Sequence, residues 1–206
     1  MIALTTVAVL LSYLVGSIPT GLWLGLWMRG IDIREHGSKN IGATNTLRVL
    51  GKGMGAAALG GDIAKGLVAV LLVARLSEWS QAPLACGLAA VLGHTASVFL
   101  RFRGGKGVAT SLGVFLGLCP VPTIIAALVF ATVAGTTRMV SAGSCTAAIA
   151  LTVSVYALPG RWATLSGALL PIDWPLRVVV TVVAALVIVK HRANIKRILK
   201  GEENRI

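Results

Sequence analysis

Long apolar runs separated by short polar islands make up this chain. The first run, from Ile2 to Met28, has no charge and exceeds the ~20 residues that a membrane-spanning helix needs. A cleaved signal peptide would place cations ahead of its apolar stretch. Here the first cation, Arg29, comes after it, so the segment reads as a retained helix. Gly16-Ser17-Ile18-Pro19-Thr20-Gly21 interrupts the run, and Pro19, which lacks a backbone donor, predicts a kink there.

A Gly/Ala-rich run to Ala74 follows Gly51-Lys52-Gly53-Met54-Gly55, and its small residues suit close helix packing in lipid. Later spans are predicted over Pro83–Leu100, Thr123–Thr137, Met139–Leu158 (ended by Pro159-Gly160-Arg161) and Leu176–Val189. Val108–Leu118 is apolar but short, and Cys119-Pro120-Val121-Pro122 breaks it. Pro171-Ile172-Asp173-Trp174-Pro175 reads as an interfacial turn with Trp174 as anchor, and Lys190–Ile206 as a basic, water-exposed tail.

The pattern predicts an all-α polytopic membrane protein, a single domain over 1–206, with about seven crossings, some short or re-entrant. A β-barrel would need alternating apolar and polar positions, which are missing. Seven crossings put the N-terminus outside and the tail in the cytoplasm. All lysines and arginines except Arg75, Arg161 and Arg177 then fall inside or near the inner helix ends. Five crossings, with 108–137 re-entrant, leave the same two ends in place.

Composition agrees with this reading. Hydrophobic residues are 56% of the chain and charged ones 13%, roughly half the share of a soluble domain. The net charge of +12 is distributed at helix ends rather than on one polar face, which argues against nucleic acid. Cys86, Cys119 and Cys145 are scattered in apolar runs, forming neither a disulfide framework nor a metal site.

Three polar clusters, around 38–48, 93–107 and 190–201, fall on the cytoplasmic side of this topology, as a composite site requires. In the first, Ser38, Asn40, Thr44 and Asn45 offer hydrogen bonds, Gly42 lets the backbone bend, and Arg48 supplies a fork suited to phosphate. Gly104-Gly105-Lys106-Gly107 reads either as an anion nest at a helix start or as a flexible loop with a positive-inside lysine. His191 and Asn194 stand three apart and can face one ligand. Read on its own, the same stretch is a basic juxtamembrane anchor, a role assigned to Lys196, Arg197 and Lys200. His94 is either a ligand or a helix-end structural residue. Asp62 and Lys65 share a helical face and form a mutual pair or point to the site; facing lipid, each would cost on the order of 2.5–3.5 kcal/mol.

Several familiar signals fail. Leu100 and Gly107 stand where a Walker loop needs Gly and Ser/Thr, and Gly53-x-Gly55-x-x-Ala58 has no preceding strand. No histidine has an aspartate five residues on, and Asp32, Asp62 and Asp173 are too dispersed for a Mg²⁺ cluster. The inferred site is cationic, with no metal and no cofactor.

Three stretches together resemble the three motifs of the bacterial acyl-phosphate:glycerol-3-phosphate acyltransferases. They are Ser38-x-Asn40-x-Gly42-Ala43-Thr44-Asn45-x-x-Arg48, Gly93-His94 with Gly104-Gly105-Lys106-Gly107-Val108-Ala109-Thr110, and His191-Arg192-x-Asn194-Ile195-x-Arg197. The likeness extends to Gly16-Ser17-Ile18-Pro19-Thr20 and Asp62-x-x-Lys65-Gly66. Ser97 replaces the family's usual proline, and Lys39 a glycine found in many relatives. The resemblance implies a monomeric, multi-pass enzyme of the bacterial inner membrane, in phospholipid biosynthesis, with its site facing the cytoplasm. It would move a fatty acyl group from acyl phosphate to the 1-hydroxyl of glycerol 3-phosphate, giving lysophosphatidic acid and inorganic phosphate. Ser38, Arg48 and Lys106 would hold phosphate, with the glycine-loop N–H groups and Asn194 completing the clamp. Either His191 or the substrate's own phosphate would serve as base. An organophosphate transporter would also use cations and broken helices, but no internal repeat is visible. A membrane scaffold binding anionic lipid would explain only residues 190–206.

Overall fold

Pro19 breaks the first apolar run where the sequence predicts. Helices α1 (Ile2–Ser17) and α2 (Thr20–Arg29) meet at a 46° bend in the computed structural model, which describes residues 2–158, 161–165, 169–171 and 173–206. The proline ring denies the helix a donor and pushes Ile18 away from helical geometry. The chain divides into two compact units, Met1–Val114 and Phe115–Ile206.

In the first unit a polar loop follows α2 and leads to α3 (Ala43–Leu50), which Gly51, at φ 87°, joins to α4 (Lys52–Leu71). A 3-10 turn extends α4 to Leu76, and α5 (Ala82–Thr95) is extended by another to Leu100. The chain then enters α6 (Val108–Leu118). Small residues set the packing distance, as the Gly/Ala content predicts. A Cβ on Gly16 would collide with the Ala90 carbonyl, and one on Gly93 with that of Tyr13, so α1 and α5 touch backbone to backbone. Tyr13 Oη donates to Ala96 O (2.7 Å), and Ser97 Oγ to Ser17 O (2.6 Å) at the broken end of α1. The hydroxyl at 97 thus mends a helix end.

In the second unit α7 (Pro120–Thr137) and α8 (Val140–Ala157) form a hairpin through Arg138, which is left-handed at φ 61°. The Ile206 amide donates to Arg138 O (2.9 Å), and Arg138 Nε to Ile206 O (2.8 Å). A short antiparallel pair, β1 (Arg161–Ala163) and β2 (Leu169–Pro171), departs from the purely helical expectation. Pro159, Gly160 and Ile172, named in the predicted helix end and interfacial turn, lie outside the described residues. Asp173 caps α9 (Trp174–Lys190), accepting from the Leu176 amide, and Trp174 is exposed as an interfacial anchor would be. A 58° bend at His191 leads into α10 (Arg192–Leu199).

The protein is a helical, polytopic membrane protein. Four stretches among the described residues are long and apolar enough to cross a bilayer, and each bent pair brings the number up to six. Helix α6 is the short span of the sequence reading: its 11 residues rise only ~16 Å, about half a hydrocarbon core.

Candidate active site

The loop before α3 is folded around one side chain. Asn45 is 1% exposed; its Nδ2 donates to the carbonyls of Ile33 (2.8 Å), Asn40 (2.9 Å) and His36 (3.2 Å), while Oδ1 accepts from the Ser38 amide (2.8 Å). Gly37 is left-handed at φ 59°, and a Cβ there would collide with Asn45 Oδ1. Asn40 Oδ1 accepts from the Gly42 amide (2.9 Å), and Gly42 opens α3 in an extended conformation. The Ala43 and Thr44 amides that begin α3 therefore sit at the end of a turn held by side chains, in a first turn where amides lack the regular intrahelical partner, while the Asn45 amide already donates to Gly42 O (3.0 Å). Ser38 and Arg48 are exposed and Thr44 is half-buried, positions open to a ligand. Asn45, expected to touch substrate, instead holds the loop. Asn40 divides its role, since its carbonyl and side-chain oxygen already serve the turn.

Arg34 belongs to the loop's own structure. It chelates Asp32 (Nη2–Oδ2 2.6 Å), and the Arg34 side-chain hydrogen bond holds the Asp32 carboxyl below its ordinary range.

The second cluster is built on His94. The Gly105 amide donates to His94 O (2.9 Å); a Cβ on Gly104 would collide with that carbonyl, and one on Gly105 with the ring's Nε2. Only glycines fit this approach. Gly107, at φ 81°, turns the chain into α6, with Lys106 half-buried beside it. The predicted nest is therefore narrower than its spacing suggests, because the Gly105 amide already has a carbonyl partner. Leu100 packs with Leu22, Ile33 and Ile41 in one buried cluster, so the two loops share an apolar root.

His94, read from the sequence as either a ligand or a helix-end structural residue, is enclosed by its neighbours. It is 4% exposed, with Nδ1 3.2 Å from Lys65 Nζ. Lys65 and Asp62 form the predicted pair at 2.7 Å, both buried. Thr20 Oγ1 donates to Asp62 (3.0 Å), and Lys65 donates to Ile18 O (2.8 Å).

The third cluster lies in the second unit. His191 is 2% exposed and sits at the α9–α10 bend, its Nδ1 2.8 Å from Val187 O. A carbonyl only accepts, so Nδ1 bears the proton and the neutral ring's lone pair is on Nε2, the form a general base needs. Asn194 Nδ2 donates to Glu203 Oε1 (2.6 Å), as does Ser141 Oγ (2.7 Å), and Arg197 Nε donates to Oε2 (2.8 Å). The tail is thus not merely a water-exposed basic anchor. Arg197 is paired, and Glu203, which the sequence reading passed over, is buried at the centre. Burial raises the Glu203 pKa, but hydrogen bonds from Asn194, Ser141 and Arg197 outweigh it, leaving the carboxyl below its ordinary value.

The family model of the glycerol-3-phosphate acyltransferases matches residues 6–201. This chain belongs to that family. Among curated relatives bearing the same description, the protein of Geobacter sulfurreducens is 49% identical over 94% of this chain and 93% of its own. That of Desulforudis audaxviator is 48% identical over all of this chain and 98% of its own, and that of Streptococcus equi subsp. zooepidemicus 44% over 96% and 90%. The crystal structure of PlsY, an integral membrane glycerol 3-phosphate acyltransferase in its glycerol 3-phosphate form, superposes with a TM-score of 0.86 at 35% identity, covering 98% of this chain and 95% of that one. Its lysophosphatidic acid form gives 0.84 at 34%. Membership makes the chain an enzyme, an acyltransferase, and the first two motifs described above are the loops that converge in its first unit.

Proposed function

We propose that this glycerol-3-phosphate acyltransferase takes its acyl group from acyl phosphate and passes it to the 1-hydroxyl of glycerol 3-phosphate. The products are lysophosphatidic acid and inorganic phosphate. The observation that supports this best is the pair of polar loops, Ser38–Arg48 and Gly104–Gly107, rooted on a single apolar cluster in a membrane unit. Two phosphate-bearing substrates, one of them greasy, call for two anion-holding loops at a membrane face. PlsY structures with glycerol 3-phosphate and with lysophosphatidic acid agree with the acceptor and product.

Acyl phosphate is already activated, so catalysis is positioning plus stabilisation of a tetrahedral oxyanion. The hydroxyl oxygen attacks the acyl carbon and gives its proton to a base. The intermediate then collapses with cleavage of the acyl C–O bond, and phosphate leaves. Ser38, Arg48, Lys106, the amides that begin α3 and the Gly104 and Gly107 amides hold phosphate. His191, with its lone pair on Nε2, is the leading base, and Asn194 orients a phosphate oxygen. The two loops Ser38–Arg48 and Gly104–Gly107 face the cytoplasm in the bacterial inner membrane, the placement the cation asymmetry supports.

The test is phosphate release by purified protein in lipid. Release should require both substrates, and acyl-CoA should not replace acyl phosphate. Arg48→Ala and Lys106→Ala should each lose about a hundredfold in kcat/KM while remaining folded. Full activity in either variant, or equal turnover with acyl-CoA, would refute the corresponding assignment.

A further inference from the structure

Ile18 and Thr20 at the break of the first span, Asp62 and Lys65 in α4, and His94 at the end of α5 come from three separated stretches. The first two stretches lie outside the three motifs. In the structure they form one cluster, in which Asp62, Lys65 and His94 are buried and Ile18 and Thr20 half-buried. The Lys65 ammonium has three protons and three acceptors: Asp62 Oδ1 at 2.7 Å, Ile18 O at 2.8 Å and His94 Nδ1 at 3.2 Å. Asp62 Oδ1 also accepts from Thr20 and lies 3.8 Å from His94 Nδ1.

We infer that Lys65, with Asp62, is a positioning residue for the phosphate-holding glycine loop, acting through His94. An ammonium donates only, so His94 Nδ1 must accept, and the ring proton is confined to Nε2. That nitrogen is the edge against which Gly105 packs, and the His94 carbonyl takes the Gly105 amide. The ring's orientation and tautomer thus define the wall on which Gly104 and Gly105 lie, and with it the place of Lys106. Because the same ammonium binds Ile18 O, the helix break and the loop are held by one group. The inference rests on the reading that Lys106 and its loop hold substrate phosphate.

The test uses full-length protein in lipid, with phosphate release measured against each substrate. Asp62→Asn combined with Lys65→Met removes both buried charges together, leaving neither ion unpaired. His94→Asn keeps an acceptor for Lys65 but deletes the ring edge under Gly105. In each, the KM for a phosphate-bearing substrate should rise about tenfold or more, with kcat much less affected. Ring-¹⁵N histidine NMR of the parent protein, with His94 assigned by its substitution, should show a single neutral tautomer protonated at Nε2. In the double variant the proton should redistribute between the two nitrogens.

Unchanged KM values in a folded variant, or a proton on His94 Nδ1 in the parent, would overturn the inference. If the double variant fails to fold, His94→Asn and the parent spectrum still decide. Lys106→Ala separates the two levels. Full activity there removes the loop from the site and defeats the functional reading, whereas loss there with normal KM in the cluster variants defeats only the positioning role.

Discussion

Lys39 has φ 57°, a left-handed conformation that costs a side chain about 1 kcal/mol and a glycine almost nothing. The backbone at this point suits glycine better than lysine. Lys39→Gly should raise stability by about 0.5 kcal/mol once glycine's greater unfolded entropy is subtracted. Thermal inactivation in detergent checks this, and a lower midpoint would show that the lysine side chain has a compensating contact. Asn45 teaches a different lesson at this scale. The sequence marked it as part of a polar motif, but its hydrogen-bond partners are backbone groups of Ile33, His36, Ser38 and Asn40, which leave no side-chain signature. Ser38 and Arg48, by contrast, are exposed.

At the scale of elements, periodicity identified the spans because lipid exposure demands long apolar runs. It read Asp62 and Lys65 as a pair because a spacing of three puts both on one helical face. His94 as their third member was not legible, since nothing local links residues on α4 and α5. Glu203 was hidden for a related reason: in a polar tail, a lone carboxylate looks solvated. Its three donors come from α8 and α10. With its pKa below the ordinary 4.5, the carboxylate's contribution is complete above that value and is lost as pH falls through the lower native one. Hydrogen exchange over residues 192–205, corrected for intrinsic rates, should therefore accelerate on acidification below about pH 4.5. Glu203→Gln should remove that pH dependence while exchanging faster at neutral pH. An unchanged acid response in the variant would assign it to another group.

For the molecule as a whole, charge placement predicts the orientation. With the native cysteines replaced, Arg75→Cys should react with an impermeant maleimide from outside intact cells. Glu35→Cys and Lys200→Cys should react only after permeabilisation. Labelling of Glu35→Cys from outside would reverse the topology and move the first motif away from the cytoplasm. The expectation rests on the cations that the sequence gathers at one set of helix ends. The number of full crossings was harder to read: α6 is too short to span alone, and two other spans are bent pairs.

The ion pair within α4 also bears on how the chain enters the bilayer during synthesis. Its two members lie one turn apart on the same helix, so coiling alone brings the ammonium to its carboxylate. The further partners at Ile18 and Thr20 have already been made, and His94 emerges last. The nascent helix can therefore partition into lipid as a nearly neutral segment, without waiting for a counter-ion from a span the ribosome has not yet produced.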